Sequence, residues 1–204
     1  MQGKRSTRGL RLLGLRAREE ETLGSGFFND VRGLAGEKVI KVAKPYGPLR
    51  QPLSWLLRNR REHVQVEPYL RVPATYHVRM RTAHGKPVSV ILQRKLAGRL
   101  LSQVPDAELY GPSMRRELTG LNAALDRCSR ELGWLPDVIG GPPRWGMHDV
   151  RRSNNLLVDV NARIWLIDPG ALFFWFSRRN IIGRVYTGVL LRSARRLARR
   201  GTKR

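Results

Sequence analysis

The chain has a single cysteine, Cys128, which leaves no internal disulfide and no cysteine-rich zinc site. A lone thiol suits a reducing compartment. Acidic residues are also scarce. Sixteen Asp and Glu face 39 Lys and Arg, for a formal charge of +23, and no acid follows Asp168. Such an excess favours anionic partners without choosing among nucleic acid, an acidic membrane surface, lipopolysaccharide and nucleotide phosphates. Aromatic content is only 7%, and no zinc-finger or basic-zipper pattern is present, so nucleic-acid binding is expected as a nonspecific side activity. Long apolar runs are missing. The intensely apolar residues 171–176 are far too short to span a bilayer. Arg11 and Arg16 interrupt the apolar residues of the N-terminal stretch, so no signal-peptide core forms there. The expectation is a cytoplasmic protein, soluble or peripheral to the inner membrane, with no transmembrane segment.

What is present suffices for a packed fold. A 204-residue chain with 41% hydrophobic residues can bury a real core in one domain or two small lobes. Residues 1–18 hold six basic residues and no acid, and read as a solvated arm. Glycines 24 and 26 then suit a strand–turn–strand whose backbone N–H groups can approach phosphates. Residues 38–44 alternate as a strand with Val39, Lys41 and Ala43 on one face and Ile40, Val42 and Lys44 on the other. A half-buried Lys among apolar neighbours calls for an anionic partner, and Lys41 suits this better than Lys44, which sits at the strand end before Pro45. Residues 53–66 read as a helix carrying Glu62, with Pro68 as its stop and Glu67 just beyond it. Residues 74–80 and 87–92 read as two more strands, followed by a connecting segment at 93–98.

Residues 113–132 give the clearest helix. Leu118, Leu121, Leu125, Cys128 and Leu132 recur at three and four, which marks a core-facing stripe, with Gly133 as its stop. Cys128 is then a small buried hydrophobe and no nucleophile. The chain's organising stretch is 145–170. The apolar runs 156–158 and 164–167 form a hairpin turned at Asn161-Ala162. Asp149 and Asn154 precede the first run, and Asp168 ends the second. One such carboxylate can accept the proton of an attacking hydroxyl, while an Asn and a second Asp hold a magnesium ion.

This spacing resembles the catalytic loop and metal-binding motif of the protein-kinase-like superfamily, His-Arg-Asp-x-x-x-x-Asn followed by Asp-Phe-Gly. Asp149 takes the catalytic Asp position, Asn154 the Asn position, and Asp168-Pro169-Gly170 stands for Asp-Phe-Gly. The stretch at Gly24 and Gly26 is similar to the glycine-rich loop, with Asn29 in place of its third Gly. Overall the chain resembles short bacterial kinase-like proteins, namely lipopolysaccharide (Kdo) kinase relatives and small PhoP-network proteins. The resemblance implies an α+β bilobal fold, with a small antiparallel-sheet lobe and a reduced, mostly helical second lobe. It implies ATP and Mg²⁺, with Asn154 and Asp168 as metal ligands and Asp149 as catalytic base. Gly24 and Gly26 would lie over the phosphates, Val31 would cover the adenine, Lys41 would anchor the phosphates, and Glu62 would support Lys41. The acceptor would be a hydroxyl of a glycan, a lipid head group or a protein.

The implied organisation is a basic arm (1–18), a nucleotide-binding lobe (19–98), a reduced second lobe (99–177) and a basic amphipathic tail (178–204). In that tail Ile182, Val185, Tyr186, Val189, Leu190 and Leu197 share one side and six arginines project elsewhere. The apolar side either lies on an anionic membrane or packs on the small lobe. His148 falls directly before Asp149 instead of two places before it, Arg151 stands where protein kinases carry the loop Lys, and no Ala-Pro-Glu motif follows. These departures leave two other expectations: a nucleotide-binding regulator with little catalysis, and a basic nucleic-acid- or membrane-binding protein.

Overall fold

Alternation along the first part of the chain produces one antiparallel sheet. The computed structural model describes residues 22–25, 29–34, 37–43, 53–81, 87–140, 149–170 and 181–200. Within it β1 (Thr22–Ser25), β2 (Asn29–Leu34), β3 (Lys38–Ala43), β4 (Thr75–Arg81) and β5 (Pro87–Arg94) pair in the order β1-β2-β3-β5-β4. Ile40 and Val90 are buried on one face, with Val42, Met80, Val88 and Leu92 packed against them. The strand period of two sends Val39, Lys41 and Ile91 to the opposite face. β5 runs two residues beyond the expected strand, through Gln93 and Arg94, so only residues 95–97 remain as connecting loop. The expected turn at 83–86, the arm at 1–18, Lys44, His148 and the aromatic cluster at 173–176 lie outside the described residues.

The described chain divides into two compact units. One holds the residues up to 58 together with 74–95, and the other holds 59–73 and everything from Leu96 onward. Helix α1 (Leu53–Val66) passes from the first into the second. The architecture is α+β, as the sequence pattern leads one to expect: a small antiparallel-sheet unit and a mostly helical one.

The second unit is built on α3 (Pro112–Glu131), which follows the one-turn helix α2 (Asp106–Leu109). Its stripe of Met114, Leu118, Leu121, Leu125 and Cys128 is buried, as the period of 3.6 requires. Pro112 takes the first helical position, where its missing N–H costs nothing, and Gly133 ends the helix at a φ of +74°. Burial pushes the Cys128 thiol up to about 12, so it stays protonated and inert. Glu117 does not cap this helix. Its carboxylate accepts from the Ile164 N–H (3.1 Å) and from Arg71 (2.5 Å).

A three-stranded antiparallel sheet, β6 (Gly98–Leu100), β7 (Leu156–Asp159) and β8 (Ile164–Leu166), packs Leu156, Val158, Ile164 and Leu166 into the same core. The β7–β8 turn falls where the sequence places it, with Ala162 at a φ of +57°. Asp159 fixes that turn. Its Oδ1 accepts from the N–H groups of Asn161 and Arg163, and its Oδ2 accepts from the Trp165 indole.

Helix α4 (Ile181–Arg200) closes the core from the other side. The buried stripe is Thr187, Leu190, Ala194, Leu197 and Ala198, and it packs on α3. This corrects the expected stripe: Val185 is exposed, and the small residues at 194 and 198 take the inward positions. The apolar side thus meets α3 of its own unit. Burying the Leu190 and Leu197 side chains contributes about 1.5–3 kcal/mol each. Among the described residues no helix is long and apolar enough to cross a membrane.

Candidate active site

In the sheet unit, the register aligns the sequence-predicted nucleotide-site residues. Gly24 pairs with Val31, Val31 with Lys41, Lys41 with Ile91, and Ile91 with His77, so one row crosses all five strands. Directly opposed residues share a face, which puts Val31 and Lys41 side by side. Lys41 is only 7% exposed. Gly26 lies outside the described residues.

In the helical unit, Asn154 and Asp168 lie at the open end of the β7–β8 hairpin. Leu156 opposes Leu166, and the ladder continues with a 2.9 Å bond from the Ile167 N–H to the Asn155 carbonyl. Asn154 and Asp168 are the next residues outward on the two sides. A short segment, residues 135–140, brackets both strand ends. The Asn154 N–H donates to the Ile139 carbonyl (2.7 Å), and the Asp137 N–H donates to the Gly170 carbonyl (2.9 Å). The Asn155 amide donates to the Asp137 carbonyl at 2.7 Å. Gly140 sits at a φ of +69°, and a Cβ there would fall 2.5 Å from the Asn155 Oδ1, so the bracket needs a glycine at this point. Beneath it Ser153 is fully buried. Its hydroxyl donates to the Val138 carbonyl and accepts from the N–H groups of Asn155 (3.2 Å) and Leu156 (2.8 Å).

Asp149 caps the 3₁₀ turn Val150–Arg152, with Oδ1 accepting from the Arg151 N–H at 3.0 Å. Ser193, projecting from α4, holds the same group from the other side. Its hydroxyl donates to Asp149 Oδ1 (3.2 Å) and accepts from the Val150 N–H (2.9 Å). The Arg151 guanidinium turns to the carbonyls of Leu101 and Val104 and to the Asp106 carboxylate (3.2 Å). Such charge-assisted bonds occupy its fork and fix the loop. Asn154 Oδ1 accepts from the Ser102 hydroxyl at 3.1 Å.

Glu62 and Glu67 part company. Glu62 is buried, with its Oε2 3.7 Å from where a Cβ on Gly170 would stand, and the Asp168 Oδ1 is 3.8 Å from that same point. Glu67 is exposed and lines a different cavity with Tyr69 and Arg71.

The residues that sequence reasoning missed are Asp137, Ser153, Asn155 and Ser193. Burial pushes the Asp137 carboxyl up to about 7; the N–H groups of Gly140 and Ile139 oppose this, and the nearby Asp168 charge reinforces it. Burial, and then the charge of Asp137, also raise Tyr186 above the usual phenol range. Only the Asp137-to-Gly140 spacing, an Asp followed by a glycine-containing turn, offers a local signal.

Asn154 and Asp168 offer oxygen donors only. Magnesium is commonly held through one or two protein carboxylates, with water and substrate phosphates completing its shell, and this pair fits that pattern. Among the described residues no group of three or more His, Cys, Asp and Glu forms a self-sufficient metal cage.

No family model matches the chain, and no curated protein matches it. Solved structures similar to it include the Mycobacterium tuberculosis PknI kinase domain, at 18% identity and a TM-score of 0.44, over 72% of this chain and 58% of that one. The MAP kinase LmaMPK10 from Leishmania major matches at 11% identity and a TM-score of 0.47, over 87% of this chain and 55% of that one. The GDP and kanamycin complex of APH(2")-IIia matches at 12% identity and a TM-score of 0.37, over 91% of this chain and 83% of that one. The chain thus spans under two thirds of the kinase domains it is similar to. Identities are low and every TM-score is below 0.5, so the functional reading stands on the geometry of the site.

Proposed function

We propose that this protein is an ATP-dependent phosphotransferase of the protein-kinase-like superfamily, acting on a hydroxyl of a glycan, a lipid head group or a protein. The observation that carries the reading is the bracketed end of the β7–β8 hairpin, where residues 135–140 bond both the Asn154 N–H and the Gly170 carbonyl, with Asp149 held on the loop just before it. Asp149 accepts the proton of the acceptor hydroxyl as its oxygen attacks the γ-phosphorus. A new P–O bond forms, the bond from the γ-phosphorus to the bridging oxygen breaks, and ADP departs with that electron pair. Asn154 and Asp168 are the groups that would hold magnesium, which when bound neutralises charge on the phosphates. Lys41 and Glu62 keep the roles that the resemblance assigns them, as do Gly24, Gly26 and Val31. The protein performs no covalent step of its own, so positioning and electrostatics supply the catalysis.

The test is ATP binding with and without magnesium at moderate salt, for wild type and Asp168→Ala. Magnesium-assisted, salt-tolerant binding that disappears in the variant is the expected result. Binding that salt abolishes and the variant retains would reduce the interaction to charge attraction by a highly basic chain. Asp149→Asn then separates enzyme from regulator: unchanged phosphate turnover removes Asp149 from the mechanism.

A further inference from the structure

Beside Asp149 the helical unit contains a cavity of about 370 Å³ whose wall is one side of α4. Asp149 and Ser193 stand at one part of it, and Arg192, Arg196 and Arg200 line it along the helix. These three arginines recur every fourth residue, so they form a ladder spanning about 12 Å of helix axis. Arg151 also borders the cavity, but its guanidinium is committed to the Leu101 and Val104 carbonyls and to Asp106. Arg195, one position off the ladder, pairs with Asp126 at 3.6 Å. Among the described residues no carboxylate forms an ion pair with Arg192, Arg196 or Arg200, and all three are exposed where they line the cavity.

Three guanidinium groups with no ion pair among the described residues, leading away from the Asp149 carboxylate, define a particular kind of ligand. We infer that the acceptor is a polyanionic alcohol, with its hydroxyl at Asp149 and phosphate or carboxylate groups on the ladder of Arg192, Arg196 and Arg200. This rests on the phosphotransferase reading above and narrows it. A neutral glycan or an ordinary peptide hydroxyl would leave the ladder unused. Arg is suited to this task because its planar fork donates two parallel bonds to a phosphate or carboxylate, which a Lys cannot. The transfer balances as already written, and the arginines exchange no proton. The same chemistry is offered by a soluble sugar phosphate and by a phosphorylated lipid head group.

The experiment uses the full chain at about 150 mM salt, where long-range attraction by the general positive charge is screened within about 8 Å. Fructose 1,6-bisphosphate and glucose are titrated calorimetrically against wild type, Arg192→Ala/Arg196→Ala, Arg192→Lys/Arg196→Lys, and a charge-matched control, Arg60→Ala/Arg116→Ala, at exposed positions outside the cavity. Phosphatidylcholine vesicles with and without phosphatidylinositol 4-phosphate form the lipid arm. The expected result is anion binding that weakens about tenfold or more in both ladder variants, holds in the control, and is absent for glucose. Magnesium–ATP affinity is measured alongside and is expected to stay unchanged throughout. Ladder-dependent binding of the bisphosphate alone assigns a soluble acceptor, and of the vesicles alone a lipid one. Equal losses in ladder and control variants overturn the inference, as does binding of neither probe. Parallel loss of magnesium–ATP affinity in the ladder variants also overturns it, because the arginines would then serve the nucleotide. If magnesium–ATP binding is missing in wild type while anion binding follows the ladder, the phosphotransferase reading fails and the anion site stands.

Discussion

Ser153→Ala removes one oxygen from the centre of the hairpin bracket. The Ser153 hydroxyl is fully buried and serves three backbone groups at once: the Val138 carbonyl, the Asn155 N–H and the Leu156 N–H. Alanine occupies nearly the same space, so the change is almost purely a loss of hydrogen bonding. Each buried backbone group left without a partner costs about 1–3 kcal/mol. The 3.2 Å bond to Asn155 is the weakest of the three, so the sum is about 3–5 kcal/mol. That is a large share of the roughly 5–15 kcal/mol that holds a typical domain folded. For a chain of this size each kcal/mol moves Tm by about 2–4 °C, which gives a fall of about 6–20 °C. Urea titration followed by tryptophan fluorescence reads this directly, because Trp134 and Trp165 both belong to the helical unit. Ser102→Ala is the control, since its hydroxyl meets only the exposed Asn154 side chain and its loss costs about 0.5–1 kcal/mol. A Ser153→Ala penalty below about 1 kcal/mol would refute the bracket as the device that holds Asn154 and Asp168 together.

Two further outcomes follow from the same geometry. Ser193→Ala unties Asp149 from α4 and leaves the Val150 N–H unpaired, so stability falls by about 1–2 kcal/mol and phosphate turnover falls about fivefold at unchanged magnesium–ATP affinity; a turnover equal to wild type would show that Asp149 needs no support from that helix. For Asp137 the folded value, about 7, lies above the ordinary value of 3.8, so its contribution is fully present below about pH 4 and is lost as the pH rises to about 7. Asp137→Asn keeps an oxygen for the Ile139 and Gly140 N–H groups and carries no charge. In metal-free buffer the variant should gain on wild type by up to about 1.4 kcal/mol per pH unit across that window, measured as ΔTm between pH 4 and pH 8. A constant difference over that range would show that the carboxyl is not raised.

The elements that local pattern governs were legible in the chain. The α3 stripe from Met114 to Cys128 follows the helical period, and a stripe that is apolar on one side only has one way to face. The β7–β8 hairpin was equally plain, because alternation on either side of a turn sets the register that pairs Leu156 with Leu166. Helix α4 was not legible in this way. It carries apolar residues around more than half its circumference, so sequence admits both a stripe through 182, 185, 186, 189, 190 and 197 and one turned toward 187, 194 and 198 that shares Leu190 and Leu197 with it. Contact with α3 selects the second, in which Ala194 and Ala198 face the core.

Composition and motif spacing thus determined the charge and the class of elements, and they single out the proposed set Asp149, Asn154 and Asp168. Tertiary structure alone decided what holds that set. Ser153 and Ser193 look like ordinary polar residues, and Asp137 like a turn carboxylate, until partners distant in the chain are placed against them. Val138 lies 15 positions from Ser153, and Asp149 lies 44 from Ser193. A hydroxyl's hydrogen bond depends on an oxygen or N–H within about 3 Å, and neighbours in sequence say nothing about which distant group will occupy that space. The same holds for the arginine ladder. Its spacing is written in the sequence, but its facing toward Asp149 follows from which side of α4 the core claims.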